Sequence, residues 1–335
     1  MSEQTLHLNF RGAGLVISAS DRAWVDAIAA AYASFVDEGQ PSPGAFRLSI
    51  VDTDALPPDP HMPLTWEGLN NSGVPCRIFE SETEQFFVAD EKVVKVETHA
   101  SGVATVFALP ESRKAFLSSI LIPVIESTLF HGGQYLLHAA CLVEDASGRS
   151  VLVCAPSGYG KTTTAMTLAH DGFSLMTDDV AVVVPKPEGV QAWGVPRALK
   201  VHRRTAELLS WIGPLPDDRW DENGEQGIAL EKIADRIGVM TPEARPLAAI
   251  IVLGSRSPAG HVLKPASRPE VLAVLAHDNV AGRAAGITTK ALDRFMTFAD
   301  MIQRTPAFTL HAGENLASLP GIVSGALGGK SGFEP

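Results

Sequence analysis

The chain has 335 residues, 45% of them hydrophobic and 19% charged, with a formal net charge of −11; these are values of a soluble globular protein with material for one large domain or two ordinary ones. So acidic a surface repels a phosphate backbone and argues against a nucleic-acid partner, and the one basic cluster, Lys200, His202, Arg203 and Arg204, is short enough to be a solvated face. Cys76, Cys141 and Cys154 form no C-x-x-C pair, which fits neither a disulfide framework nor a zinc site and suits a reducing cytoplasm.

The opening MSEQTLHLNF has no basic region leading into an apolar one, so no signal peptide is expected. Residues 1–110 are expected to fold as a smaller α/β accessory or substrate-docking domain. Leu6 to Phe10 and Gly14 to Ile17 read as strands, and Asp21 to Val36 has helical apolar spacing with Asp21 as N-cap. Pro-rich breaks at 42–44 and 57–63 precede three further short strands, Arg77 to Glu80, Gln85 to Ala89 and Val93 to Glu97. No catalytic constellation is legible in this part.

A helix is expected from Pro110 through Leu129, opening a second domain over 111–322. Its apolar stretch, Ala115 to Phe130, carries Pro123 and Glu126 and is too short to span a bilayer, so a cytoplasmic protein without membrane contact is expected. Tyr135 to Val143 and Val151 to Cys154, split by a polar turn, read as a hairpin.

The second strand leads into Ala155-Pro156-Ser157-Gly158-Tyr159-Gly160-Lys161-Thr162, which matches the P-loop pattern with Ala155 in place of the first glycine. Glycines let successive backbone N–H groups curl around phosphates without Cβ clashes. Lys161 would supply a cation to the β and γ oxygens, and the Thr162 hydroxyl would coordinate Mg²⁺. The helix that follows, from Thr163 to His170, points its N-terminal dipole at the same anion. Ala155 to Thr163 are therefore the candidate nucleotide-binding residues, with ATP and Mg²⁺ as cofactors.

A short strand, Phe173 to Met176, then delivers Asp178 and Asp179. Two adjacent carboxylates allow a division of labour: one binds metal while its neighbour takes a proton from an acceptor hydroxyl. His138 lies on the apolar run before the P-loop strand and is either a core histidine or a third member of the site.

Together, His138, Ser157 to Thr162 and Asp178-Asp179 resemble the kinase domain of the HPr kinase/phosphorylase family, over about residues 131–184. The resemblance implies an α/β, mixed-sheet P-loop fold of the kind shared with phosphoenolpyruvate carboxykinases, preceded by the smaller α/β domain. It further implies Ser or Thr phosphorylation with Asp178 as general base, Asp179 as its partner or a metal ligand alongside Thr162, His138 supporting them, and a homo-oligomer. The family's Arg-Gly strand, associated with the reverse phosphorylase activity, is missing; Ala192 to Lys200 stands in its place, with Arg197 as a candidate catalytic cation. In this the chain is closer to the short HPr-kinase-related proteins of peptide-modification gene sets, including lasso-peptide kinases. The acceptor could be a peptide, a protein or a small molecule. The alternatives are a nucleotide-dependent ATPase or switch, and a non-catalytic binding module of a peptide-modifying complex.

Beyond the site, Leu247 to Leu253 reads as a buried strand. Pro269 to Ala276, Ala291 to Arg304 and Leu316 to Val323 read as helices, Phe308 to His311 as a last strand, and 323–335 as a flexible tail.

Overall fold

The computed structural model describes residues 3–70, 73–98, 101–156, 158–216, 219–221, 223–279 and 289–328. The chain divides into two compact units, one of residues 1–135 with 282–292, the other of residues 136–281 with 293–335.

The first unit is built on an eight-stranded sheet. Its strands are β1 (Gln4–Phe10), β2 (Ala13–Ala19), β3 (Phe46–Asp52), β4 (Leu64–Leu69), β5 (Pro75–Glu80), β6 (Glu84–Ala89), β7 (Val93–Thr98) and β8 (Val103–Ala108), in the order β1-β2-β3-β8-β7-β6-β5-β4. β3 runs parallel to β2 and β8, and the other pairs are antiparallel. The two-residue period of β2 buries Ala13, Leu15, Ile17 and Ala19. β3, β4 and β8 are additional to the strands expected from sequence. β3 and β8 alternate cleanly, whereas β4 buries neither face and so shows no alternation. Helix α1 (Arg22–Ala31) starts where expected, with the Asp21 carboxylate accepting from the Ala23 N–H at 2.9 Å. It stops five residues short of Val36, because Val36 bridges to Leu8 and the Asp37 N–H donates to the His7 carbonyl. Pairing along β1 overrides local helical spacing there.

The expected second helix is one continuous stretch: α2 (Arg113–Ala115), a π turn (Phe116–Ile120) and α3 (Leu121–His131). Pro123 follows the π turn, where the widened ladder accommodates a missing donor. This stretch belongs to the first unit, so the division falls after Tyr135 and not near residue 110. Phe116, Ile120, Val124 and Ile125 are buried, α3 packs on β2 and β3, and Phe116 meets the Trp24 ring edge-on at 5.3 Å. Beneath α3 lies a buried charged cluster. The Lys95 ammonium, 0% exposed, donates to Glu97 at 2.6 Å, Ser127 donates to the same carboxylate, and Lys290 lies 3.6 Å from its other oxygen.

The second unit carries a ten-stranded mixed sheet. Its strands are β9 (Tyr135–His138), β10 (Ala140–Glu144), β11 (Ser150–Cys154), β12 (Phe173–Thr177), β13 (Val180–Lys186), β14 (Gly189–Gly194), β17 (Gly238–Val239), β18 (Arg245–Leu253), β19 (Val262–Pro265) and β20 (Ala307–His311). β15 (Leu199–His202) and β16 (Glu225–Ile228) form a separate ribbon. The main order is β17-β12-β10-β11-β18-β14-β13-β9, with β20 also on β18 and β19 on β20. β18 runs parallel to both β11 and β20, which explains its unbroken apolar run. Helices α4 (Lys161–His170), α5 (Arg203–Leu208), α6 (Arg268–Asn279), α7 (Thr289–Arg304) and α8 (Leu319–Gly328) complete the fold. Leu142, Val151 and Val153 of the sheet share a core with Ala165 and Leu168 of α4 and with Leu319 and Val323 of α8.

Two expectations need correction here. The single strand expected over Tyr135 to Val143 breaks at Ala139, whose N–H turns to the carbonyls of Leu137 and Asp179 at 2.9 and 3.1 Å. Its halves go to different places: β10 pairs with the P-loop strand β11, while β9 lies at the far edge beside β13. His138 is therefore not on the strand paired with the P-loop strand. The tail expected from residue 323 is helical through Gly328, because Val323 is buried in the core; residues 329–335 lie outside the described residues. The three cysteines are free and buried, and among the described residues no helix is long and apolar enough to cross a membrane.

Candidate active site

The phosphate loop runs from the end of β11 to the start of α4. Gly158 and Gly160 both adopt left-handed backbone, with φ of 80° and 96°, a region costly for residues with a Cβ. No heavy atom lies within 4 Å of where a Cβ would sit on either glycine, so the loop leaves open space around them. Ala155 is buried and keeps an ordinary φ, which is why this backbone does not require the pattern's first glycine. The Tyr159 N–H donates to the Pro156 carbonyl at 3.3 Å, and the Tyr159 side chain is exposed. Ser157 lies outside the described residues.

At the first turn of α4 three side chains diverge. The buried Lys161 donates from its ammonium to the Ala155 carbonyl at 3.0 Å and lies 2.8 Å from Nε2 of His138. The Thr162 hydroxyl donates to Oδ2 of Asp178 at 3.0 Å. Thr163 turns the other way, to the Thr205 hydroxyl of α5 at 2.8 Å.

The two aspartates occupy the bend between β12 and β13. Thr177 sets that bend, its hydroxyl accepting from the N–H groups of Asp179 and Val180 at 3.4 and 3.2 Å. β14 passes close behind it: a Cβ on Gly194 would come within 2.8 Å of the Met176 carbonyl carbon and 2.7 Å of the Thr177 methyl. Asp178 is buried and faces Thr162. Asp179 accepts from Nδ1 of His138 at 2.9 Å and meets the Arg197 guanidinium at 3.5 Å.

A chain of polar contacts thus links Lys161, His138, Asp179 and Arg197. An ammonium has only donors, so Nε2 of His138 accepts from Lys161 and the ring proton sits on Nδ1, where it donates to Asp179. The backbone N–H of His138 is held by Oδ1 of Asn279 at 2.6 Å, and Asn279 is anchored through Nδ2 to the Leu275 carbonyl of α6 at 2.9 Å.

The environments of the carboxylates push their proton affinities apart. Burial, reinforced by the negative charge of Asp179, raises Asp178 to a pKa of about 6 against the opposing Thr162 bond. For Asp179, burial alone would raise the value, but the hydrogen bond from His138 and the positive charges of Arg197 and Lys161 outweigh it and hold the group below the usual carboxylate range. Such a split is a mark of functional carboxylate pairs.

The structure therefore gathers His138, Lys161, Thr162, Asp178, Asp179 and Arg197, all singled out from sequence. The Thr162 hydroxyl bonds Asp178, while Asp179 faces His138 and Arg197. Asn279 and Thr205 were not singled out; Asn279 lies 141 residues from His138, and no local pattern marks either one. Among the described residues, no group of three or more His, Cys, Asp or Glu is placed to hold a metal.

No family model matches this chain, and no curated protein matches it. Among solved structures the chain is similar to one titled "Structure of the Hpr(Ser) kinase/phosphatase from Coxiella burnetii", at 14% identity and a TM-score of 0.29, covering 57% of this chain and 95% of that one. At that identity and score neither family nor activity follows from the likeness.

Proposed function

We propose that this protein is a Mg²⁺-dependent ATP kinase of the HPr-kinase-like type, phosphorylating a hydroxyl of a peptide, a protein or a small molecule. The observation that carries the reading is the convergence at one P-loop of Lys161, Thr162 and a carboxylate pair with split proton affinities. Phosphoryl transfer asks for positioning and charge neutralisation more than covalent chemistry, and these residues supply both.

The donor set fits Mg²⁺. A hydroxyl beside two adjacent carboxylates is all oxygen, and Mg²⁺ in phosphate sites takes only one or two protein ligands beside phosphates and water. Thr162 and Asp179 would hold it, since the Thr162 hydroxyl can donate to Asp178 while offering a lone pair to a cation. When bound, Mg²⁺ would neutralise charge on the β and γ oxygens. Gly158 and Gly160 give the loop the curl and the open space a triphosphate requires. Lys161 turns from Ala155 and His138 to the phosphates. Asp178, with its pKa near the working pH, accepts the proton of the acceptor hydroxyl. Asp179 stays ionised and fixes His138 and Arg197, whose guanidinium adds positive charge beside the transferring group.

Titration calorimetry with Mg²⁺ and a non-hydrolysable ATP analogue tests the nucleotide site. Wild-type protein is expected to bind, and Lys161→Ala to bind about 30- to 150-fold more weakly, the worth of about 2–3 kcal/mol for a hydrogen bond to a charged group. Equal affinities for the two proteins would remove Lys161 from the phosphate site, and no binding by wild type would defeat the reading.

A further inference from the structure

The sheet of the first unit has two edges, and they are finished differently. β1 is covered by its own chain, through the Leu8–Val36 bridge and the bond from the Asp37 N–H to the His7 carbonyl. β4 at the other edge pairs with β5 alone among the described strands. Natural edge strands are blunted by lysines, by covering segments or by brevity. β4 has six residues, no lysine, and three large apolar side chains in the open: Leu64, Trp66 and Leu69 are 44%, 38% and 66% exposed.

The details of β4 suit it to receive another strand. An irregularity between Leu64 and Trp66 shifts the register, so Leu64, Glu67 and Leu69 share one face while Trp66 and Gly68 share the other. The indole lies along Gly68, where an added Cβ would stand 3.1 Å from its Cζ2. Apolar surface therefore flanks the open backbone edge on both faces.

Charge identifies the occupant. Beside β4, its exposed Glu67 stands opposite Arg77 on β5, whose guanidinium already meets Asp59 and Glu91, so three carboxylates surround one cation there. A second copy of this chain pairing β4 to β4 would set the same acidic edge against itself, which like-charge repulsion disfavours.

We propose that β4 is a docking edge for an extended basic peptide segment, which adds to the sheet as an extra strand through main-chain hydrogen bonds, its apolar side chains meeting Leu64, Trp66 and Leu69 and its cations the surrounding carboxylates. This deepens the kinase reading and rests on it in one respect: the segment belongs to a polypeptide phosphoacceptor.

The test is fluorescence anisotropy with the full-length protein and a labelled Lys-Val-Lys-Val-Thr-Val-Lys-Val peptide, run without nucleotide. The peptide is expected to bind, with affinity falling severalfold between 50 and 300 mM salt as ionic screening grows. Its glutamate counterpart is expected not to bind. Leu69→Lys, at the most exposed position, and the Trp66→Lys/Leu69→Lys double variant are expected to weaken binding at least tenfold. Equal binding of the basic and acidic peptides, unchanged binding by both variants, or no binding by wild type would each overturn the proposal. So would a wild-type dimer in sedimentation that the double variant turns into monomer, since a second copy would then occupy the edge. Binding is expected to persist in Lys161→Ala, so failure of the kinase reading leaves this result standing, and peptide failure beside intact phosphoryl transfer moves the acceptor's docking elsewhere.

Discussion

Asp178→Asn is expected to abolish phosphoryl transfer and at the same time make the protein more stable at neutral pH. The catalytic loss is expected at about 10²- to 10⁴-fold in kcat, the ordinary worth of a general base, with nucleotide affinity little changed because Lys161 and the loop are untouched. The gain in stability has a separate origin. Asp178 is only 3% exposed and lies beside Asp179, and these two effects raise its pKa from 3.8 to about 6. A carboxyl whose folded-state value lies above its unfolded one binds its proton more tightly when folded, so folding is penalised as pH rises. The penalty is absent below about pH 4, grows through the interval, and is fully present above about pH 6; its ceiling is about 3 kcal/mol at 1.36 kcal/mol per pKa unit. Asn keeps an acceptor for the Thr162 hydroxyl and carries no charge. Melting curves of both proteins at pH 4.5 and 7.5 should therefore diverge at the higher pH, with the variant above. A variant that melts lower at pH 7.5, or transfers phosphate at the wild-type rate, contradicts the role given to Asp178.

The largest expected loss of stability lies in the first unit. Glu97 is buried between the Lys95 and Lys290 ammoniums and accepts from Ser127. Burial alone would raise its pKa, but the two lysines and the hydrogen bonds hold it down to about 2. Lys95, wholly buried, is pushed below the ordinary lysine value by desolvation, with Glu97 opposing. Glu97→Gln removes the carboxylate that Lys95 contacts directly, leaving only the more distant charge of Glu126, and is expected to cost about 3–5 kcal/mol, the usual result of removing one partner of a buried pair. Replacing both by apolar residues, as in Lys95→Met/Glu97→Leu, is expected to recover much of that loss, because the desolvation penalty disappears along with the attraction. Urea midpoints at pH 7 measure both. A cost below about 1 kcal/mol for the single variant would show that the cluster is hydrated and not dry. Because the folded pKa of Glu97 is depressed, its contribution is present above the ordinary value of 4.5 and is lost as pH falls toward 2.

The local parts of the site were legible in the sequence, and the parts made by long-range pairing were not. The P-loop announces itself because its chemistry is written in consecutive residues, and Asp178-Asp179 follow at the end of the next strand. His138 was legible as a residue but not in its place. The strand break at Ala139 sends β9 and β10 to different positions in the sheet, and an unbroken apolar run gives no sign of it. Asn279 reaches the site only through the packing of α6. The unit boundary was misplaced for a related reason: the apolar face of 113–131 demands a sheet to cover it, and nothing local says which sheet. β4 was invisible because a strand that buries neither face has no period to read, and that same lack of cover is what makes it a candidate docking edge.

The central claim is that the Lys161, Thr162 and Asp178 cluster transfers the γ-phosphate of ATP to a hydroxyl, and γ-labelled ATP tests it most directly. Purified protein with Mg²⁺ in an extract of its own cells, run beside Lys161→Ala, is expected to place label on a specific peptide, protein or metabolite, with none placed by the variant. Release of free phosphate without any labelled acceptor would contradict the kinase and point to an ATPase or switch, and absence of turnover would point to a binding module.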